Sequence, residues 1–173
     1  ICCMRSIWTG DDPDLRCGAV RRGIDMGKQR DIAVVTGSRA EFGLLLPVLR
    51  AIEVHPKLAL HTVVAGAHWV AGTADDVKGA GLRIDRRVRM QKPGEVGRAA
   101  DVAALGRGVT AFGRLWAELR PDFVVVLGDR IEPLAATLAG QVGGVRVAHL
   151  HGGDRAEGVA DEAMRHAISK LAH

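Results

Sequence analysis

The stretch that decides the fold is Phe123-Val-Val-Val-Leu127, followed at once by Gly128-Asp129-Arg130. A short apolar run rich in β-branched residues and ended by glycine predicts a buried strand. A helical pattern follows at 131–141, with Pro133 in its first turn, and an apolar strand pattern returns at 145–149. A strand, a helix and a second strand in succession predict a parallel pair with a right-handed crossover.

The same alternation extends upstream and downstream. It predicts further strands at 31–36, 58–65 and 82–90, and helices at 44–54, 73–80, 98–119 and from 160 to the end. We therefore expect an α/β fold with a doubly wound, mainly parallel Rossmann-like sheet in the order 3-2-1-4-5. Ligands of such sheets bind outside the carboxyl ends of the strands, here in the crevice between strands one and four.

Length and composition exclude several classes of protein. With 173 residues, 47% hydrophobic and 25% charged, the chain has the composition of an ordinary globular domain. The net charge of +4 is spread along the chain, and three Phe, three Trp and no Tyr do not supply a base-stacking platform, which argues against nucleic acid. No apolar run approaches the roughly 20 residues of a membrane span.

The N-terminal region differs from the rest. Residues 1–25 show no hydrophobic period and contain all three cysteines, Cys2, Cys3 and Cys17. We expect a poorly ordered extension at 1–25 and one Rossmann-like domain at 26–173, the alternative being a genuine N-terminal element. The absence of cysteines beyond residue 17 and of a signal-peptide pattern fits a cytoplasmic protein.

The segment Gly37-Ser-Arg-Ala-Glu-Phe-Gly43 joins the first strand to the first helix. Glycines permit close backbone approach, a helix N-terminus attracts anions, and Arg39 adds a forked donor for phosphate. The segment matches neither the dinucleotide fingerprint nor the Walker P-loop, which argues against NAD and Walker-type ATP sites. The alternative is a purely structural turn.

Asp129 stands at the tip of the central strand, where ligands of this fold bind. The competing interpretation is an N-cap for the helix that follows. His149 ends strand five, and His151 and Asp154 follow it. Together they suggest a metal site, but such a site needs further ligands that the pattern does not supply, and the alternative is a structural His149 at the buried strand end.

The last helix carries Asp161 and Glu162 in its first turn, close to the same edge of the sheet. Their structural interpretation is a pair of exposed i,i+4 ion pairs, with Arg165 and His166 respectively. His68 follows strand two and is a further candidate, since loops on a rigid scaffold carry binding sites, but a lone loop histidine is more often structural.

Taken together, these motifs resemble the hydrolysing UDP-N-acetylglucosamine 2-epimerases of sialic-acid-type sugar synthesis. The stretches that carry the resemblance are 34–43, 65–68, 121–130, 148–154 and 161–173, in order and with family-like spacing. The non-hydrolysing relatives typically have a Thr-Arg-Pro-Glu loop and a His-Val-Glu-Ala-Gly segment at the corresponding places.

The resemblance implies an activity and a larger fold. Enzymes of this family eliminate UDP from the sugar to give a glycal and then add water to give N-acetylmannosamine, without a metal or other cofactor. The family fold is two Rossmann-like domains of the glycosyltransferase-B type, so the chain resembles the first domain with the second absent. By the same resemblance the full-length protein is a homo-oligomer, and this part alone is expected to be inactive.

Residue roles are carried over from the same resemblance. Asp129, Asp161 and His151 take the catalytic places, and some relatives have Glu where this chain has His151, which makes Asp154 an alternative base. The substrate-binding places fall on Arg39, His68, Arg130, Asp154 and Glu162.

Three other functions stay open at this stage. One is a nucleotide-sugar-binding module without turnover, and another is an epimerase acting on a diacetylated bacterial UDP-sugar. The third is a receiver-like signalling domain, against which Arg39 stands where an acidic cluster would be expected.

Overall fold

A regular alternation of strands and helices fills residues 29–154 and 160–173, the parts of the chain that the computed structural model describes. The strands are β1 (Arg30–Thr36), β2 (Leu58–Ala65), β3 (Arg86–Val88), β4 (Phe123–Leu127) and β5 (Arg146–Leu150). The helices are α1 (Arg39–Glu53), α2 (Ala67–Val70), α3 (Ala74–Gly79), α4 (Arg98–Leu119), α5 (Ile131–Val142) and α6 (Ala160–Leu171).

The five strands form one parallel sheet in the order β3-β2-β1-β4-β5, which confirms the predicted order and fold class. In register, Ile32 of β1 lies opposite Phe123 of β4, and Val124 of β4 lies opposite Val147 of β5. The reversal between β1 and β4 places their carboxyl ends side by side, as the crevice of a doubly wound sheet requires.

Both faces of the sheet are buried. Successive side chains of a strand point to opposite faces of the sheet. Ala33 and Val35 of β1 face the layer formed by α4, α5 and α6. Ile32 and Val34 face the layer formed by α1 and α3. Trp116 of α4 is 2% exposed and donates its indole N–H to a carbonyl of α5. These two layers of helices explain why the strands are apolar runs rather than alternating patterns.

The first helix begins five residues earlier than predicted. Ser38 caps it by accepting a hydrogen bond from the Glu41 N–H at 3.4 Å, and the Glu41 carboxylate reaches back to the Gly37 N–H at 2.7 Å. This is close to a capping box, a signal present in the sequence. Pro47 therefore lies inside the helix, and the carbonyl it leaves unbonded belongs to Gly43, on the same exposed face.

The third strand is shorter than the predicted 82–90. Its pairing with β2 stops at Val88, because β2 ends at Ala65 and Gly66 then turns the chain with a φ of 53° into α2, a helix that the sequence did not predict. At its other end, the Asp85 carboxylate accepts the Thr62 N–H at 2.9 Å, where a strand would offer a backbone carbonyl.

Two further points concern the extent of the chain. The prediction of a poorly ordered extension at 1–25 falls outside the described residues. Within 29–154 and 160–173, no helix combines the length and the apolar character that crossing a membrane would require.

Candidate functional site

Asp129 lies at the carboxyl end of β4 and pairs with Arg165 of α6. Arg165 is 5% exposed, and it also donates to the Asp154 carbonyl at 2.7 Å. The hydrogen bond that Arg165 donates to Asp129 raises the pKa of Arg165 above its already high usual value, so the guanidinium stays charged. The capping interpretation of Asp129 is wrong, because the residue at the N-cap of α5 is Arg130, without a side-chain hydrogen bond.

The pairing of Arg165 also revises the interpretation of the last helix. Its guanidinium turns to Asp129 across the site rather than to Asp161 one turn earlier on its own helix. Asp161 is exposed in the first turn of α6, and the predicted pair between Glu162 and His166 is present at 3.4 Å. The sequence does not single out Arg165 as a site residue, because its i,i+4 spacing already offers a local partner in Asp161.

His149, at the end of β5, joins three segments around Asp129. Its Nε2 lies 2.7 Å from the Gly128 carbonyl and its Nδ1 lies 2.9 Å from the Ser169 hydroxyl on α6. Because a carbonyl only accepts, Nε2 carries the hydrogen and Nδ1 accepts from Ser169. Burial is the main cause that lowers the pKa of His149, which keeps the ring neutral near pH 7.

These contacts bear on the metal alternative. With both ring nitrogens of His149 engaged inside the protein, neither is free to bind a metal ion. In the described part of the chain, no three His, Cys, Asp or Glu side chains group as metal ligands do. His149 thus acts as a structural connector beneath the site.

His151 and Asp154 form an exposed pair beyond the end of β5. His151 Nδ1 lies 2.9 Å from Asp154 Oδ2, and the backbone of His151 has a φ of 60°, in the left-handed region. With Nδ1 engaged by the carboxylate, Nε2 is the nitrogen left to face a ligand. Asp129, His151 and Arg165 all lie close enough to His149 to affect its pKa, so these groups are neighbours at the sheet edge.

The remaining predicted residues are Arg39 and His68, which follow β1 and β2, and Arg130, which follows β4. Arg39 has a 77% exposed side chain, with its Nε 3.2 Å from the Asp76 carboxylate. Arg130 is half exposed. His68 is fully buried, with Nε2 3.0 Å from the Thr36 hydroxyl and Nδ1 2.9 Å from the Thr73 hydroxyl, and burial lowers the pKa of His68.

Two buried carboxylates that were not predicted as site residues lie beneath Arg130. Glu41 and Glu132 stand in the first turns of α1 and α5 and are 6% and 0% exposed. The N-terminal turns of two helices thus bring acids, rather than open anion sites, to the base of the crevice. The pattern Ser38-Arg-Ala-Glu41 signalled the first of them, and nothing in the sequence distinguished the second.

Comparison with known proteins identifies the family to which this chain is similar. The sequence model of the family described as UDP-N-acetylglucosamine 2-epimerase matches residues 50–173. The chain belongs to this family. One relative, the UDP-N-acetylglucosamine 2-epimerase of Neisseria meningitidis, is 38% identical over 82% of this chain. The UDP-N,N'-diacetylbacillosamine 2-epimerase (hydrolyzing) of Legionella pneumophila is 35% identical over 83%.

Solved structures of the family share the fold. The crystal structure of UDP-GlcNAc 2-epimerase from Neisseria meningitidis bound to UDP-GlcNAc superimposes with a TM-score of 0.72 at 20% identity, over 82% of this chain and 38% of that one. The chain spans 37% of the length of the Neisseria relative and 38% of the Legionella relative.

Proposed function

We propose that this chain forms the Rossmann-like part of a hydrolysing UDP-N-acetylglucosamine 2-epimerase that serves sialic-acid-type sugar synthesis. The reaction removes UDP across C1 and C2 of the sugar to give a glycal, and adds water to give N-acetylmannosamine. The observation that carries the proposal is the Asp129–Arg165 pair, which holds a carboxylate at the carboxyl end of β4, where ligands of this fold bind. Family membership supports the substrate class.

Abstracting the C2 proton requires a base held in place and reachable by substrate. Asp129 fits this role, because Arg165 fixes one carboxylate oxygen while the side chain remains 27% exposed. Since Arg165 is itself fixed by the Asp154 carbonyl, the carboxylate is oriented before substrate arrives. Asp161, exposed at the start of α6, is a second carboxylate for the acid and base steps.

The His151–Asp154 pair supports the water step. A histidine whose Nδ1 is held by a carboxylate presents Nε2 as an acceptor or donor of the proton that water loses or gains. We place His151 as the acid or base of hydration and Asp154 as its orienting partner, with Glu162 as a substrate contact on the adjoining turn.

Leaving of UDP develops negative charge on the diphosphate, which arginine forks stabilise best. Arg39 and Arg130 flank the crevice. Arg39 lies beside Asp76 and Arg130 beside Glu132, and at least half of each arginine side chain is exposed. His68 supports this side of the crevice from within, through its bonds to Thr36 and Thr73. The remaining length of the relatives would supply the opposite wall of the cleft.

The sugar itself has a specific alternative. The name of the Legionella relative is that of a hydrolyzing epimerase of UDP-N,N'-diacetylbacillosamine. A diacetylated UDP-sugar would undergo the same elimination and hydration, because the chemistry at C1 and C2 is unchanged. Assaying both sugar nucleotides side by side discriminates the two substrates.

The test uses a chimera in which this chain replaces the matching part of the Neisseria relative. Asp129→Asn conserves shape but removes the proton acceptor, so we expect UDP release to fall at least about 100-fold, within the range of general base catalysis. The matched control is Asp101→Asn, an exposed aspartate in the first turn of α4, which should leave activity unchanged. Near-normal UDP release by Asp129→Asn would overturn the assignment.

A further inference from the structure

Glu41 and Glu132 meet below the crevice with unusual hydrogen bonding. Glu41 Oε2 accepts the Gly37 N–H at 2.7 Å, while Glu132 Oε1 accepts the Gln91 amide at 2.6 Å and the Ala67 N–H at 3.2 Å. The other oxygen of each, Glu41 Oε1 and Glu132 Oε2, is buried and accepts no hydrogen bond from the described residues. Each acid therefore has one fixed oxygen and one unbonded oxygen.

Both unbonded oxygens face the same guanidinium. Arg130 Nε lies 3.9 Å from Glu41 Oε1 and 3.6 Å from Glu132 Oε2. The Arg130 side chain is 51% exposed, whereas the two acids have side chains 8% and 0% exposed. The guanidinium thus has its Nε towards the acids, and its two terminal nitrogens are the donors available to a ligand.

Backbone packing holds Glu132 in this position. A Cβ added at Gly37 would lie 2.7 Å from the Glu132 Cβ, and one added at Gly66 would overlap the Glu132 side chain. The backbone at these two glycines therefore packs directly against Glu132. This contact, at the ends of β1 and β2, fixes Glu132 beneath Arg130, and the hydrogen bond from the Gly37 N–H fixes Glu41.

The charges around the pair do not balance. Two buried carboxylates face one half-exposed arginine, and like charges in a shared site oppose joint ionisation. Burial is the largest effect and raises the pKa of Glu41 to about 7. The hydrogen bond from the Gly37 N–H lowers this pKa in part, and the nearby Glu132 raises it further. From α2, His68 faces Glu132 but is neutral, and from α3, Asp76 is paired with Arg39.

We propose that Glu41 and Glu132 are positioning residues that hold Arg130 with its terminal nitrogens towards a nucleoside diphosphate. This rests on the proposed function and adds to it a proton that is linked to binding. A diphosphate bound at Arg130 brings negative charge towards the acids and offsets the positive charge of the guanidinium that both acids face. Glu41 then binds its proton more tightly, so binding takes up protons and weakens as the pH rises above 7.

Calorimetry of UDP binding to the chimera at pH 7, in two buffers of different ionisation enthalpy, measures this uptake. UDP is not turned over, and any proton exchanged by its terminal phosphate is common to all variants. Because Glu41 is about half protonated at pH 7, we expect wild type to take up as much as about half a proton more than Glu41→Gln. Glu53→Gln, on an exposed position of the same helix, should behave as wild type.

Carboxyl carbon NMR of the chimera provides a second readout that does not depend on the variant folding. The Glu41 resonance should titrate near pH 7 in the free protein, and its midpoint should move upwards with UDP. Equal proton uptake by wild type and Glu41→Gln, or a Glu41 midpoint that UDP leaves unchanged, overturns the proposal. Either result in a chimera that releases UDP from substrate leaves the proposed function standing. If the Glu41 midpoint shifts with UDP in a chimera that does not release UDP from substrate, the positioning role is supported and the proposed epimerase function is rejected.

Discussion

At the scale of single residues, chemistry-bearing side chains were predictable where the chain order places them at strand ends. Asp129 and His151 follow apolar strands, and the structure puts both at the carboxyl edge of the sheet. Arg165 and Glu132 were not predictable, because each sits on a helix where a local role explains it equally well. What distinguishes them is tertiary: Arg165 crosses to Asp129, and Glu132 is buried between helix starts.

The buried Glu41 makes stability depend on pH in a definite direction. Its pKa in the folded protein, about 7, lies above the ordinary 4.5, so the folded state binds more protons between these values. The stabilising contribution is full below 4.5 and is lost as the pH rises through 7, by about 3 kcal/mol in total. Glu41→Gln should remove this dependence.

Urea unfolding at several pH values between about 4.5 and 8 measures the effect. We expect the free energy of unfolding of wild type to fall with pH relative to that of Glu41→Gln, with Glu53→Gln parallel to wild type. The lowered pKa values of His68 and His149 act in the opposite direction, but they are common to all three proteins and cancel in the difference. If the free energies of unfolding of wild type and Glu41→Gln changed with pH in parallel, the raised pKa of Glu41 would be contradicted.

At the scale of elements, the hydrophobic pattern predicted which segments form strands and helices better than it predicted where each one begins and ends. The strand at 123–127 and the helix at 98–119 have the predicted bounds, whereas α1 starts earlier and β3 is shorter. The start of α1 depends on the reciprocal bonds of Ser38 and Glu41, and the length of β3 on where β2 stops. Both are set by contacts outside the periodic pattern.

The contact of α6 with the end of β5 depends on a glycine. A Cβ at Gly152 would lie 2.6 Å from Ser169 Oγ and 2.8 Å from His149 Nδ1, whereas one at Gly153 would have no neighbour within 4 Å. Gly152→Ala must displace the side chains of Ser169 and His149, and we expect a loss of about 1–3 kcal/mol in unfolding free energy. Gly153→Ala, one residue later, should change it by less than about 0.5 kcal/mol.

Chemical denaturation of the two alanine variants tests this contact, and His149 provides a second signal. Because its neutral Nδ1 accepts from Ser169, displacement of these side chains should shift the His149 ring resonances in Gly152→Ala only. Equal stability of the two variants would show that the end of β5 tolerates a wider spacing than the structure has.

At the scale of the whole molecule, strand–helix alternation predicted a doubly wound parallel sheet, and the observed strand order is the common Rossmann-like one. That order alone brings the ends of β1 and β4 together, and with them the α1 start, Asp129 and Arg130. Family membership supports the proposed substrate class, and the chain spans 37% of the length of the Neisseria relative. The complete cleft therefore has to be tested in a protein of the relatives' full length.

The most direct test of the account is the product that the chimera with the Neisseria relative forms from UDP-N-acetylglucosamine, followed by proton NMR. We expect free UDP and N-acetylmannosamine to appear in equal amounts, with loss of both signals in Asp129→Asn. Formation of UDP-N-acetylmannosamine with the nucleotide still attached, or no conversion by a folded chimera that binds UDP, would contradict a hydrolysing epimerase.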